Sequence, residues 1–225
     1  MYKSYIKRII DLLLALIAIL ILTPFMIPIV IGLLLTGEHY VFYFQERIGY
    51  KNKPFKIWKF ATMLRASPKL GTGSLTLRND PRLMPMGRFL RKTKINEIPQ
   101  VINVLLGSMS VVGPRPLMAV DFKKFPEAIR DKVYQSRPGI TGIGSIIFRD
   151  EEKWISESGM DPHEFDKKFI APYKGALEIW YQENISFVTD VKLVICTVWV
   201  ILFPHSELPY RFFNELPAKP VELTE

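Results

Sequence analysis

Leu12–Leu35 reads LLLALIAILILTPFMIPIVIGLLL, 24 positions without a charge. As one straight helix this run would rise about 36 Å, enough to cross the hydrocarbon core of a bilayer. It is longer than the apolar part of a typical cleaved signal peptide, and no small-residue cleavage site follows it. Each large apolar side chain favours a membrane by about 1.5–3 kcal/mol, so the run attaches the chain to one. Its middle is interrupted by Thr23-Pro24 and by Pro28, and each proline removes a backbone donor and disfavours a straight helix. Lys3, Lys7 and Arg8 precede the run, and Arg47, Lys51 and Lys53 follow it. The positive-inside rule assigns both flanks to the cytoplasmic face. A helix that enters, breaks at Thr23-Pro24 and returns meets both demands better than a single span. The Thr23 hydroxyl can help satisfy backbone groups freed at such a bend. The expectation for residues 1–38 is a re-entrant membrane anchor.

A chain of 225 residues allows one moderate domain plus appendages. Cys196 is the single cysteine, so no disulfide framework exists, which fits a reducing compartment. His39, His163 and His205 are scattered without zinc-ligand spacing, and structural or surface roles suit them. The net charge of +8 conceals a local excess. Between Arg47 and Lys94 stand thirteen Lys or Arg against one acid, Asp80. Such a field draws anions: nucleic acid, anionic headgroups or a phosphorylated substrate.

Tyr40–Phe44 and Phe55–Phe60 read as the arms of a β-hairpin with turn residues between Gly49 and Pro54. Phe55, Trp58 and Phe60 alternate with Lys53, Lys56 and Lys59, a pattern that stacks nucleic-acid bases or anchors a sheet at a membrane interface. Beside an apolar anchor, the second reading is the better one. The following GTGSLTLRNDPR lacks the GK[ST] close of a Walker-type loop. It reads as a mobile surface loop whose Arg78 and Arg82 face an anion.

TKINEIPQ, Thr93 to Gln100, follows the basic run GRFLRKTK. Ile95, Ile98, Val101, Ile102 and Leu105 mark one face of a short helix, with Gly107 as its stop. That spacing puts Asn96 at the N-cap, Glu97 at the first helical position and Pro99 in the first turn. The free N–H groups there form an anion site and favour an ionised Glu97. Further on, Gly113-Pro114-Arg115-Pro116 is a stiff turn that directs one guanidinium, and Arg suits bidentate phosphate binding. SRPGITGIGSIIFRDEE follows, its glycines permitting tight backbone approach between Arg137 and Arg149. Arginine-bearing turns beside a membrane anchor point to a phosphorylated, membrane-associated substrate and argue against a nucleic-acid partner.

With these motifs in order, FQERIGYKNKPFKIWKFATM, NDPRLMPMGRFLRKTKINEIPQVINVLLGSMSVVGPRPL and RPGITGIGS, the chain resembles the small monotopic phosphoglycosyl transferases, bacterial initiating sugar transferases. The similarity runs from about Tyr5 to Leu202. It implies a mixed α/β, mainly helical fold: a re-entrant membrane helix, then a small cytosol-facing catalytic domain, 39–203, with a short β-hairpin. It implies the bacterial inner (cytoplasmic) membrane as location. The implied reaction transfers a phosphosugar from a nucleotide diphosphate sugar, usually UDP-linked, to polyprenol phosphate, and so initiates surface-glycan assembly. Magnesium fits, because it takes a carboxylate plus substrate phosphate oxygens. By resemblance, Asn96 and Glu97 occupy the catalytic dyad, with Glu97 on the metal. Lys59, Arg88, Arg115 and Arg149 match basic positions for phosphate and nucleotide.

Two positions depart from the family pattern. Asn96 stands where the family has the Asp nucleophile, and Ala61 where it commonly has Arg. An amide is a poor nucleophile for phosphorus. Four readings follow: direct attack by polyprenol phosphate, attack by Glu97, an engineered Asp-to-Asn change, or a non-catalytic relative that binds substrate as a membrane scaffold. Near the C-terminus, LVICTVWVILF offers eleven residues after Lys192, too few to span, and reads as an interfacial or packing helix ended by Pro204. In the tail, 204–225, Phe212 and Phe213 are candidates for contact with membrane or with a second copy in a homo-oligomer.

Overall fold

The computed structural model describes residues 2–67, 80–204, 206–213 and 215–223. Arg78 and most of the Gly-rich loop lie outside the described residues. The chain is mostly helical with two small sheets. After one wide turn, Tyr2–Ile6, the long apolar helix α1 runs Lys7–Leu35. Strands β1 (Phe42–Ile48) and β2 (Pro54–Phe60) pair antiparallel, Phe42 opposite Phe60. Next come α2 (Pro85–Lys92), α3 (Gln100–Leu106) and β3 (Ser110–Val112). Short helices α4 (Ala119–Phe122) and α5 (Glu127–Val133) lead to β4 (Gly139–Thr141), which pairs parallel with β3. The remainder is α6 (Ile143–Ile147), α7 (Glu151–Glu157), α8 (Pro162–Phe165), α9 (Ala171–Glu183), α10 (Phe187–Leu202) and α11 (Leu208–Phe212).

The expected hairpin forms, but its first arm is displaced toward the turn, Phe42–Ile48 in place of Tyr40–Phe44, while the second gains Pro54. The expected interruption of the anchor takes another form: Lys7–Leu35 is one helix with Pro24 and Pro28 inside it. Thr23 Oγ1 donates to Ile19 O at 2.7 Å. That is the carbonyl one residue before Leu20, whose usual partner Pro24 cannot provide, and such back-bonding favours a bend.

Both ends of α1 are fastened to the same globular body. At the start, Asp11 Oδ2 accepts from the Ser110 hydroxyl at 2.7 Å and Oδ1 from Val111 N–H at 2.9 Å. Arg8 caps the last carbonyls of α3, donating to Val104 O and Leu105 O. At the end, Leu33 is buried in a cluster with Phe60 and Leu90. Between the two, Ile17, Leu20, Ile21, Phe25 and Ile27 are exposed. Helix α10 also shows solvent an apolar face, of Val191, Ile195, Val198 and Leu202, while Leu193, Cys196 and Val200 enter the main core with Ile143, Tyr173 and Leu177.

A buried ion pair joins α1 to α10. Asp190 accepts from Lys7 Nζ at 2.6 Å, Tyr2 Oη at 2.6 Å and Tyr181 Oη at 2.8 Å. Removing one partner of such a pair strands the other. Asp190→Ala therefore lowers the unfolding free energy by about 3–5 kcal/mol, read by denaturant titration in detergent. A loss below about 1 kcal/mol would mean that Lys7 is held by other means.

Candidate active site

Asn103 docks α3 on β2, and so sets the site. Its Oδ1 accepts Trp58 N–H at 2.8 Å and its Nδ2 donates to Lys56 O at 2.8 Å, so the side chain stands in for a neighbouring strand. The turn before α3 is thereby brought beside the end of β2, and Lys59 Nζ meets Glu97 Oε1 at 2.7 Å.

The local structure around Glu97 differs from the expectation. Ile95–Glu97 is a separate 3-10 turn, entered through Lys94 in a left-handed conformation at φ 60°, and α3 begins only at Gln100. Pro99 explains the shift. It has no N–H to give to a carbonyl of this turn, so the α-helical ladder starts beyond it. Asn96 is not an N-cap: it is buried, and its Oδ1 has no hydrogen-bond partner among the described residues. The expected stop at Gly107 is met, in a left-handed conformation at φ 83°.

Two turns lock together on the far wall. A Cβ on Gly142 would stand 2.1 Å from Gly113 O, and one on Gly139 2.1 Å from Gly113 N. No side chain fits in that seam, so the Gly113–Leu117 turn and the Gly139–Gly144 turn meet backbone to backbone, with Gly113 N–H donating to Thr141 O at 2.9 Å. Arg115 stands on this wall.

A single cleft of about 1530 Å³ collects Lys59, Arg88, Asn96, Glu97, Arg115 and Arg149, the six polar residues singled out from the sequence. Arg47, Lys124 and Ser145 line it too. Its wall also includes Leu22 of α1 and Val200 and Ile201 of α10, so both helices with exposed apolar faces contribute to it. Thr23 and Pro24 lie next to Leu22 in α1. Arg88 is exposed on α2 at the rim. Arg149 gives one arm to Val200 O, an end carbonyl of α10, which leaves fewer donors for a ligand. Arg82 lines the cleft too, but its guanidinium is engaged by a carboxylate of the protein itself. It is buried, with Nε and Nη2 on Asp80 at 2.9 and 2.5 Å and Nη1 on Ser67 O at 3.2 Å.

The cleft wall also carries Asp121, Asp150, Glu151, Glu157 and Asp166, but around Glu97 itself the field is strongly positive. Burial would raise the Glu97 carboxyl, but the charges of Lys59, Arg115 and Lys94 and the Lys59 hydrogen bond hold it well below the usual carboxylate range. Burial pushes Lys59 down to about 8, with Arg47 and Arg115 adding to the depression and Glu97 opposing it. Arg47 is pushed down to about 10 by burial and by Arg115. Arg47 was not singled out as a site residue from the sequence. Its position opposite Phe55 in the hairpin register is what turns it toward the cleft. Three cations around a single ionised carboxylate suit a ligand with several negative charges.

Among the described residues, no group of three or more His, Cys, Asp or Glu is gathered to hold a metal alone. Glu97 and the unpartnered Asn96 Oδ1 are hard oxygen donors in the cleft. Magnesium is commonly held by one or two protein oxygens with substrate phosphates and water completing the shell, so this donor set fits an ion that arrives with a diphosphate.

The family model described as Bacterial sugar transferase matches residues 2–204. The UDP-glucose:undecaprenyl-phosphate glucose-1-phosphate transferase of Escherichia coli (strain K12) is 34% identical over 190 residues, covering 83% of this chain and 40% of that protein. An uncharacterized sugar transferase of Bacillus subtilis (strain 168), EpsL, is 36% identical over 162 residues, 72% of this chain and 70% of that one. A UDP-N-acetylgalactosamine-undecaprenyl-phosphate N-acetylgalactosaminephosphotransferase of Aeromonas hydrophila is 31% identical over 88% of this chain and 44% of its own length. The chain thus spans less than half the length of the first and third of these relatives.

Proposed function

Because the chain belongs to the bacterial sugar transferase family, we propose that it moves a phosphosugar from a UDP-sugar to polyprenol phosphate, releasing UMP. The relatives named for UDP-sugar and undecaprenyl-phosphate chemistry support that substrate pair. The carrying observation is the cleft itself: one wall set holds Lys59, Arg47, Arg115 and Glu97 together with Leu22, Val200 and Ile201 of the two helices with exposed apolar faces. The charged group suits a diphosphate, and the apolar helices beside it suit a phosphate carried on an apolar chain.

In the reaction, an oxygen of the lipid phosphate attacks the phosphorus that carries the sugar. The bond from that phosphorus to the bridging oxygen breaks, and UMP leaves with that oxygen and the electron pair. One pyrophosphate link is lost and one gained, so positioning and charge neutralisation do most of the work. Lys59 and Arg115 hold the phosphates and take up charge on the leaving group. Glu97 keeps Lys59 oriented and, with Asn96, supplies the protein oxygens for a magnesium ion, which would add charge neutralisation when bound. Asn96 carries no negative charge, so direct attack by the lipid phosphate is the route this chain's residues support.

We further propose that α1 is re-entrant, with the body on the cytoplasmic face of the inner membrane, and that 1–38 is the anchor, 39–203 the catalytic domain and 204–225 a tail. Two features favour this. Both ends of α1 are tied to one body. Ala15 and Leu33 would be about 27 Å apart on a straight helix. Yet Ala15 shares a cluster with Ile57 and Leu33 with Phe60, three residues apart on β2 and about 10 Å.

Incubating the protein with magnesium, polyprenol phosphate and a panel of UDP-sugars, and following UMP, tests the activity. UMP released only with the lipid acceptor present is the expected result. No release with any sugar would sink the proposal.

The pH profile has a defined sign. Lys59, pushed down to about 8, loses its proton and its hold on phosphate as pH rises through that value. The quotient kcat/KM for the UDP-sugar then falls about tenfold by pH 9. Glu97 stays ionised well below the ordinary carboxylate range, so no acid limb from it appears near pH 4–5. In Lys59→Arg the alkaline limb moves upward. A limb that stays in place would assign it to another group.

A further inference from the structure

Pro114 and Pro116 have no N–H, so Arg115 is the only amide donor between Gly113 and Leu117. That N–H donates to Glu178 Oε1 at 3.1 Å. The Arg115 carbonyl accepts from Tyr134 Oη at 2.7 Å, and the same phenol oxygen accepts Leu117 N–H at 2.9 Å. Pro114 O accepts Gly139 N–H at 3.0 Å, and Pro116 O accepts Arg47 Nη1 at 3.4 Å. Four of these hydrogen bonds involve side chains, and they come from three residues, Arg47, Tyr134 and Glu178.

Glu178 stands on α9 and is 2% exposed. It is not among the residues that line the cleft. Its Oε2 has no hydrogen-bond partner among the described residues. A Cβ on Gly144 would lie 2.4 Å from its Oε1, so the missing side chain leaves the path from α9 to Arg115 open. Burial pushes the carboxyl up to about 7, while the Arg115 N–H and the charges of Lys174 and Arg115 pull the other way. A buried carboxyl with one idle oxygen is costly to keep, and an apolar residue would serve packing better. Stability alone therefore does not account for it.

We propose that Glu178 is a positioning residue for phosphate binding: from α9 it pins the Arg115 peptide and, with Tyr134 on the other side, sets the direction in which the Arg115 guanidinium enters the cleft. The inference rests on the transferase reading, and it adds a residue that never touches substrate.

Glu178→Met fills the volume without accepting a hydrogen bond, and Glu178→Gln keeps the acceptor. The expected result is a loss of about tenfold or more in kcat/KM for the UDP-sugar in Glu178→Met, carried mainly by KM, with most of it regained in Glu178→Gln. In an Arg115→Ala background, Glu178→Met adds less than about a twofold further loss, because the group it positions is gone. A merely structural role would give the full loss again in that background, and Gln would rescue no better than Met. Either of those outcomes, or an unaltered kcat/KM in Glu178→Met, overturns the inference. A wild-type chain that releases no UMP overturns the transferase reading instead, and UDP affinity by calorimetry then carries the same comparison of the five proteins.

Discussion

Asn96→Asp gains the mass of one phosphosugar when mixed with UDP-sugar and magnesium without lipid acceptor, and its UMP release with acceptor rises on the order of a hundredfold or more. The amide and the carboxylate have nearly the same shape, so the 3-10 turn that holds the residue is retained. What changes is chemistry. Asn96 Oδ1 is buried at the cleft with its acceptor capacity unused. A carboxylate there gains negative charge and nucleophilicity beside Lys59 and Arg115, and those cations offset its repulsion from Glu97. The two-step route it opens replaces one difficult displacement with two easier ones. Intact-protein mass spectrometry reads the adduct. An adduct on the unaltered chain would show instead that Glu97 is already a nucleophile, and an Asn96→Asp protein that never gains mass would remove the position from the chemistry.

Glu97→Gln has the second largest effect, a fall in kcat of about 10²–10³ at saturating UDP-sugar. Glu97 is the counter-charge to Lys59 at 2.7 Å and the one ionised oxygen donor of the pair offered to a metal. Its loss leaves Lys59, Arg47 and Arg115 facing one another, with Asp121 the only other acid acting against the repulsion on Arg47. A second signature separates this from general damage. Glu97 is what raises the Lys59 proton affinity against burial, so without it Lys59 titrates below about 8 and the alkaline limb of the residual activity moves to lower pH. Full activity, or a limb that does not move, would show that Lys59 and Glu97 act independently.

The long apolar helix, the hairpin and the Gly107 stop are readable from local pattern, because each depends on neighbours in sequence, whereas Lys59, Arg88, Arg115 and Arg149 are chosen on the family resemblance and Arg47 is not chosen at all. Pro99 was readable too, yet its effect was misjudged. A proline two residues past Glu97 fits a first helical turn equally well on paper, and only the docking of Asn103 on β2 decides where the ladder begins. Arg82 and Arg149 show a different limit. An arginine in a turn looks the same whether it waits for a ligand or serves Asp80 or an end carbonyl of α10. Glu178 and Tyr134 carried no signal at all, since their partner is a backbone group about 63 and 19 residues away. Pairings of that kind leave no periodicity or motif to read.

The seam where Gly113 meets Gly139 and Gly142 constrains how such a protein can change over time. A methyl group at any of these places drives into the main chain opposite, so no one-step replacement leads away from the present arrangement. The two loops must therefore drift as one heritable block, while the helices outside them are free to diversify. Novel sugar preferences in descendants of this chain would then arise from those outer walls, with the grip on the diphosphate handed down unaltered.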